Sequence, residues 1–253
     1  MIPQPVHKLD EISKKFVGLR LDSELNLFEL NGWKRTILDL ESWQNDPVAH
    51  YLLSIIYSFE GKEREFRTHS NHALELTNHD YQVYLARGSS LMWFGYLEES
   101  IKAFKTAWEI NNVSVRANTD YAAILMKAGM ISECVVILKH LDKIIPEENV
   151  LKNKIFKIQG YVDQLGISDE HIINLTRQAW KACQQHGGRL SGGDIDLLED
   201  NEDKWVNIRL QLAKTVEEVR IVEQYWFTWL ATSDLDPVLD KYITIDFEPT
   251  RLV

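Results

Sequence analysis

Two histidines three positions apart are the first pair in the chain whose types suit chemistry. His69 and His72 fall on one face of a predicted helix, the placement that a metal pair needs. No third ligand is evident in the sequence, and His79 falls in the turn that follows. Surface histidines are the simpler reading, so no metal site is expected. The acidic run of Asp194, Asp196, Glu199, Asp200, Glu202 and Asp203 would attract a hard cation, but its spacing is not that of a calcium-binding helix–loop–helix. Residues 187–203 are rich in glycine and acid and read as a solvated linker. Ser191-Gly-Gly-Asp lies inside that stretch, without the helical setting of a nucleophile. Cys134 and Cys183 sit in apolar helical patterns and neither belongs to a CxxC pair, so reduced thiols and a cytoplasmic location are expected. There is no GxGxxG after a strand, no phosphate loop, no HExxH and no GxSxG elbow. The expectation is a protein that is not an enzyme and uses no cofactor. An enzyme with its site near 187–205 is the outlying alternative, and converging carboxylates and histidines there would favour it.

The charge balance narrows the partners. A formal net charge of -10 opposes nucleic acid and anionic membrane as main partners, because both reward Lys and Arg. The N-terminal stretch from Met1 to Lys15 contains no apolar core of a secretory signal, and no apolar run approaches the length of a membrane span.

The elements that must position any site repeat along the chain. Gly61, Gly95 and Gly129 are equally spaced, and an interval of this size is the signature of a repeated structural unit. Tyr57, Leu91 and Leu125 stand four before each glycine, and Leu53, Arg87 and Tyr121 eight before. Ser54, Gly88 and Ala122 give a small residue at the next position. Ser70, Phe104 and Leu138 follow nine after, Ala73, Ala107 and Leu141 twelve after, and Asn78, Asn112 and Pro146 close each unit. The glycine suits the left-handed turn that ends a first helix, the small residue lets two helices approach, and the bulky positions fill the space between them.

These residues resemble the tetratricopeptide repeat family. Residues 83–112 match it best, with Gly88, Gly95, Phe104 and Ala107 on family positions, while Arg87, Phe66 and Leu141 depart from the pattern. The resemblance implies a mainly α fold, a helical solenoid of three clear repeats with degenerate flanking hairpins. It also implies that the first helix of each unit lines a concave face. In the first unit that face is Val48, Tyr51, Ile55, Ser58 and Phe59; in the second, Gln82, Leu85, Ser89, Met92 and Trp93; in the third, Arg116, Thr119, Ala123, Met126 and Lys127. Such a face is largely apolar and suits an amphipathic or extended apolar peptide. Arg116 and Lys127 lie at one end, where they would meet an acidic group. Tyr51 and Ile55 stand where the family's chaperone-tail clamps carry polar residues, so that kind of clamp is not expected. Residues 1–30 or the C-terminal unit are alternative occupants of the groove.

Three regions follow. Residues 1–44 read as a helical segment, with a degenerate repeat over 31–44 and a helix over 37–43. Residues 45–187 hold the repeats, opened by Asp46-Pro47, with a fourth hairpin over 150–186 whose turn, Gly166, is three positions out of register. Residues 188–253 hold the acidic linker and a small strand–helix–strand α/β unit. There Val206, Ile208, Leu210 and Leu212 alternate with polar residues, Thr215 and Glu218 form a capping box for a helix over 216–231, and Ile243, Ile245 and Phe247 alternate again. The strands could pair with each other, pack on the last hairpin or pair with a second copy. Tyr225, Trp226, Phe227, Trp229 and Leu230 are too many large side chains for one narrow stripe, so this helix is either core or an exposed aromatic interface.

Two functions remain open. One is a scaffold, adaptor or chaperone-like module holding a protein or peptide in the groove. The other is a regulatory or inhibitory protein that binds its target through the C-terminal unit, with the repeats as a platform for a homodimer.

Overall fold

A computed structural model describes residues 9–14, 27–146, 150–187, 189–200, 203–233 and 241–250. It is mainly helical and ends in a small three-stranded sheet. Helices α2 (Pro47–Phe59), α4 (Tyr81–Trp93) and α6 (Val115–Lys127) are the first members of three pairs. Their partners are α3 (Glu63–Leu76), α5 (Leu97–Ile110) and α7 (Ile131–Ile144). Both series advance by one constant step from pair to pair, the step that separates the turn glycines. The boundaries follow from local chemistry. Asp46, Asp80 and Ser114 accept backbone N–H bonds at the start of each first helix, and Pro47 supplies the preset φ of a first helical position. Gly61, Gly95 and Gly129 end those helices at φ +72°, +83° and +72°.

The small positions let the paired helices meet. A Cβ on Gly88 would stand 2.8 Å from the Phe104 ring, so the glycine is what brings α4 against α5. The Ser100 hydroxyl donates to the Gly88 carbonyl at 2.8 Å, and at the equivalent place in the next unit the Cys134 thiol donates to the Ala122 carbonyl at 3.3 Å. Both cysteines are free and buried, and burial pushes their pKa up to about 12.

The N-terminal part departs from its expectation. The helix there is α1 (Leu27–Leu38), followed by a short 3-10 turn at Trp43–Asn45, so the stretch 37–43 is mostly turn rather than helix. Residues 9–14 are helical, and 15–26 lie outside the described residues. Leu9, Ile12, Leu30 and Ile37 form a separate apolar cluster with Ala49, Leu52, Leu53 and Ile56 of α2.

Beyond α7 the chain changes direction. Helices α8 (Val150–Gln164) and α9 (Asp169–Gln185) are joined at Gly166, φ +68°. Rather than closing a fourth stacked unit, α9 runs back along the glycine turns. A Cβ on Gly129 would stand 2.7 Å from Ile172 and 2.8 Å from Thr176, and one on Gly95 would stand 3.6 Å from Gln184. The chain continuing from α9 places the Arg189 guanidinium against Gly61. Ile172, Thr176, Gln184 and Arg189 therefore meet the turns of the third, second and first pairs in that order, and Arg177 ties α9 to Glu98 at 2.6 Å.

The acidic stretch is not a linker. Leu190–Asp200 forms strand β1, antiparallel to β2 (Asp203–Leu212), which pairs in parallel with β3 (Ile243–Pro249). Helix α10 (Val216–Thr232) makes the crossover from β2 to β3 and opens on the Thr215–Glu218 capping box. The strand–helix–strand reading thus gains a third strand, and β2 is central. One sheet face carries Ile195, Ile208, Leu210, Ile243, Ile245 and Phe247, all buried. These residues share one core with Leu85, Phe104, Tyr121 and Leu125 of the helical pairs and with Trp180 and Trp226, so the core runs through the 187/188 boundary.

Candidate protein-binding face

The positions expected to line a concave face divide by their place along the first helices. Near the helix starts, Val48, Gln82, Arg116 and Thr119 are exposed. Tyr51, Ile55, Ser89 and Ala123 are half-buried, and burial is the main cause that raises the Tyr51 pKa. Near the helix ends the face is covered. Met92 and Trp93 are 8% exposed and Met126 is 5% exposed. Phe59 is half-buried, with its ring 6.1 Å from Trp93, and Ser58 is buried. Leu85, at the fifth position of the second unit, is fully buried and belongs to the core.

The cover comes from the chain itself. A Cβ on Gly193 of β1 would stand 3.6 Å from Cγ of Lys127, so this strand crosses the end of α6. Arg189 lies 5.9 Å from the Trp93 ring and donates weakly to the Phe59 carbonyl at 3.4 Å. An open apolar groove over its whole length is therefore corrected: the C-terminal unit occupies the half nearest the glycine turns. Leu85, Met92, Trp93 and Met126 are unavailable to a partner in this arrangement because β1, α9 and neighbouring helices already exclude water from them.

The basic end is also divided. Arg116 and Lys127 stand at opposite ends of α6, about 16 Å apart along its axis at ~1.5 Å per residue. Arg116 is exposed and pairs with Asp120 at 3.4 Å. Lys127 reaches Met92 Sδ at 3.8 Å and has no carboxylate within 4 Å among the described residues. Burial lowers its pKa, against the opposing pull of Asp194 and Asp120. The Trp93 indole N–H beneath the same strand has no hydrogen-bond partner among the described residues. Acidic residues expected in a solvated linker are partly engaged: Lys154 bonds Asp194 and Asp196 at 2.7 Å each, and Arg209 pairs with Asp196.

The histidine pair has a neighbour that spacing along the sequence does not reveal. His50 of α2 places Nδ1 2.9 Å from His69 Nδ1, and its other ring nitrogen meets the Gln44 carbonyl at 3.0 Å. That carbonyl accepts only, so Nε2 of His50 carries a proton, and when both rings are neutral Nδ1 of His50 accepts a hydrogen bond from the His69 Nδ1–H. Burial, then the neighbouring His50 and His72, lower the His69 pKa to about 4. Among the described residues no group of three or more His, Cys, Asp or Glu is arranged to hold a metal ion. A cleft does lie near 187–205, with Glu199 and Asp203 on its wall, but no histidine lines it. No helix among the described residues is long and apolar enough to cross a membrane.

Comparison of the chain with protein-family models and with curated proteins finds no match.

Proposed function

We propose that this chain is a tetratricopeptide-like, non-enzymatic protein-binding module that works in the cytoplasm. A peptide or protein segment would bind along the starts of α2, α4 and α6. The observation that carries the reading is one helical pair occurring three times at a constant interval, with the same capped start and the same left-handed glycine turn. Stacked pairs of this kind present a continuous face that single helices do not. Exposed Val48, Gln82, Arg116 and Thr119, with half-buried Tyr51, Ile55, Ser89 and Ala123 behind them, give that face apolar depth and a polar rim.

The test is site-resolved crosslinking in extract of the native host. A photoreactive residue at Thr119 should capture a discrete partner, and Arg116→Glu should abolish the capture. The same probe at Val136, 61% exposed on α7, is the control. Equal capture from Thr119 and Val136 would count against the reading.

One observation favours a second reading. On α10, Val216, Ile221, Tyr225 and Phe227 are 41–60% exposed, although Trp226 beside them is buried. These side chains flank the solvent-facing arc of α10 on its two sides, and that arc is the alternative docking surface of a regulatory protein or a homodimer. Because the sheet and the helical pairs share a core, separated fragments are poor tests. Ile221→Glu with Phe227→Glu in the whole chain is the better one. Loss of the partner there, with Arg116→Glu silent, would move the site to α10.

A further inference from the structure

We propose that the cleft between α8, the last residues of β1 and the first residues of β2 binds a small zwitterion carrying a planar ring, of the aromatic amino-acid class. The cleft has a volume of about 650 Å³. That falls within the roughly 300–1,000 Å³ of ordinary ligand sites. Three kinds of feature converge in it.

The walls are aromatic. Tyr161 of α8 and Tyr242, just before β3, meet with ring centroids 6.5 Å apart and planes at 78°. Two rings at that angle make a corner in which a third ring meets one face and one edge, the arrangement aromatic quadrupoles favour. The Tyr161 hydroxyl donates to the Lys204 carbonyl, which holds that wall in place.

One lining position is a glycine. Gly160 lies in the interior of α8, where glycine costs about 0.5–1 kcal/mol relative to alanine. A Cβ there would meet nothing within 4 Å, so no neighbouring side chain among the described residues requires the glycine. Gly160 lines the cleft and is exposed, so a flat ring can approach its backbone.

The rim carries opposite charges. Glu199 and Lys204 satisfy each other at 2.9 Å. Lys157 and Asp203 line the same cleft from α8 and β2, and neither has an ion-pair partner within 4 Å among the described residues. A cation and an anion so placed beside an aromatic corner complement a molecule that joins a carboxylate, an ammonium and a ring. A purely apolar ligand would desolvate both charges without compensation.

Isothermal titration of the full chain with L-tryptophan and L-phenylalanine tests this, with indole and glycine as half-molecule controls. Saturable binding of the aromatic amino acids is expected, with each control weaker by about tenfold or more, equivalent to ~1.4 kcal/mol. Gly160→Leu, which has room to fold, should leave the melting temperature unchanged or higher and weaken binding by about tenfold. Lys157→Ala and Asp203→Ala should each weaken it by about threefold, as suits exposed ion pairs. No saturation by either amino acid up to roughly 10 mM, a limit of ~2.7 kcal/mol, overturns the proposal. So does Gly160→Leu binding as tightly as the parent, or indole binding as tightly as tryptophan.

Discussion

The two ends of helices α2, α4 and α6 meet different surroundings. At their starts, capped by Asp46, Asp80 and Ser114, the side chains of Val48, Gln82, Arg116 and Thr119 reach solvent. At their ends, the glycine turns are crossed by α9 and Arg189, and β1 lies over Lys127. The same repeat thus supplies a free edge and a structural edge. The difference teaches that a repeated turn glycine can serve two purposes at once: backbone reversal and close approach of a covering element.

The largest expected effect separates those purposes. Gly129→Ala combines a left-handed alanine, costing ~1–2 kcal/mol, with a clash against Ile172 and Thr176 costing ~1–3 kcal/mol, so roughly 2–5 kcal/mol should be lost. Gly166→Ala has nearly the same φ but nothing within 4 Å, and should lose only about 1–2 kcal/mol. Urea denaturation of the two variants measures this, and equal losses would show that α9 does not press on the turn.

Next in size is the free edge itself. Asp80→Ala removes a cap that accepts the Gln82 N–H at 2.6 Å and should cost about 1 kcal/mol in thermal melts. Arg116→Ala should change stability by less than about 0.5 kcal/mol, since its pair with Asp120 is exposed.

A further effect is a slope with pH. His69 has a pKa of about 4 folded and 6.5 in the unfolded chain. The fold therefore favours its neutral form; this contribution is complete above about pH 6.5 and is lost as pH falls toward 4. Amide protection factors at α2 and α3 should fall as pH falls over that window, and that slope should flatten in His69→Asn. The sheet should hold until lower pH. Despite burial, Lys154 and Arg209 keep the Asp196 carboxyl below its usual range, so its contribution disappears only as pH falls through that lower value.

The free edge was more legible in sequence than the covered one. Three glycines at one spacing have few readings other than a repeated turn, and Asp46-Pro47 marks a helix start by its own chemistry. The course of α9 was hidden because Ile172, Thr176 and Gln184 are ordinary helical residues until the turns they cross are known. Strand β1 was hidden by Gly192, Gly193 and its acids, which resemble a loop. The alternation of Asp194, Ile195, Asp196 and Leu197 was the signal that could have found it: Ile195 is buried opposite Ile208 while the two aspartates face Lys154 and Arg209. His50 joined His69 only through the packing of α2 on α3, which spacing along one helix cannot show.

The central claim is that the starts of α2, α4 and α6 are open and their ends are covered by the chain's own C-terminal unit. Maleimide labelling of Thr119→Cys and Met126→Cys, two positions on α6, tests it most directly. Cys134 and Cys183 are buried with pKa values of about 12 and stay silent. The thiol at 119 should react at least about a hundredfold faster than the one at 126, which must wait for local opening. Comparable rates at the two positions would contradict a helix end covered by β1.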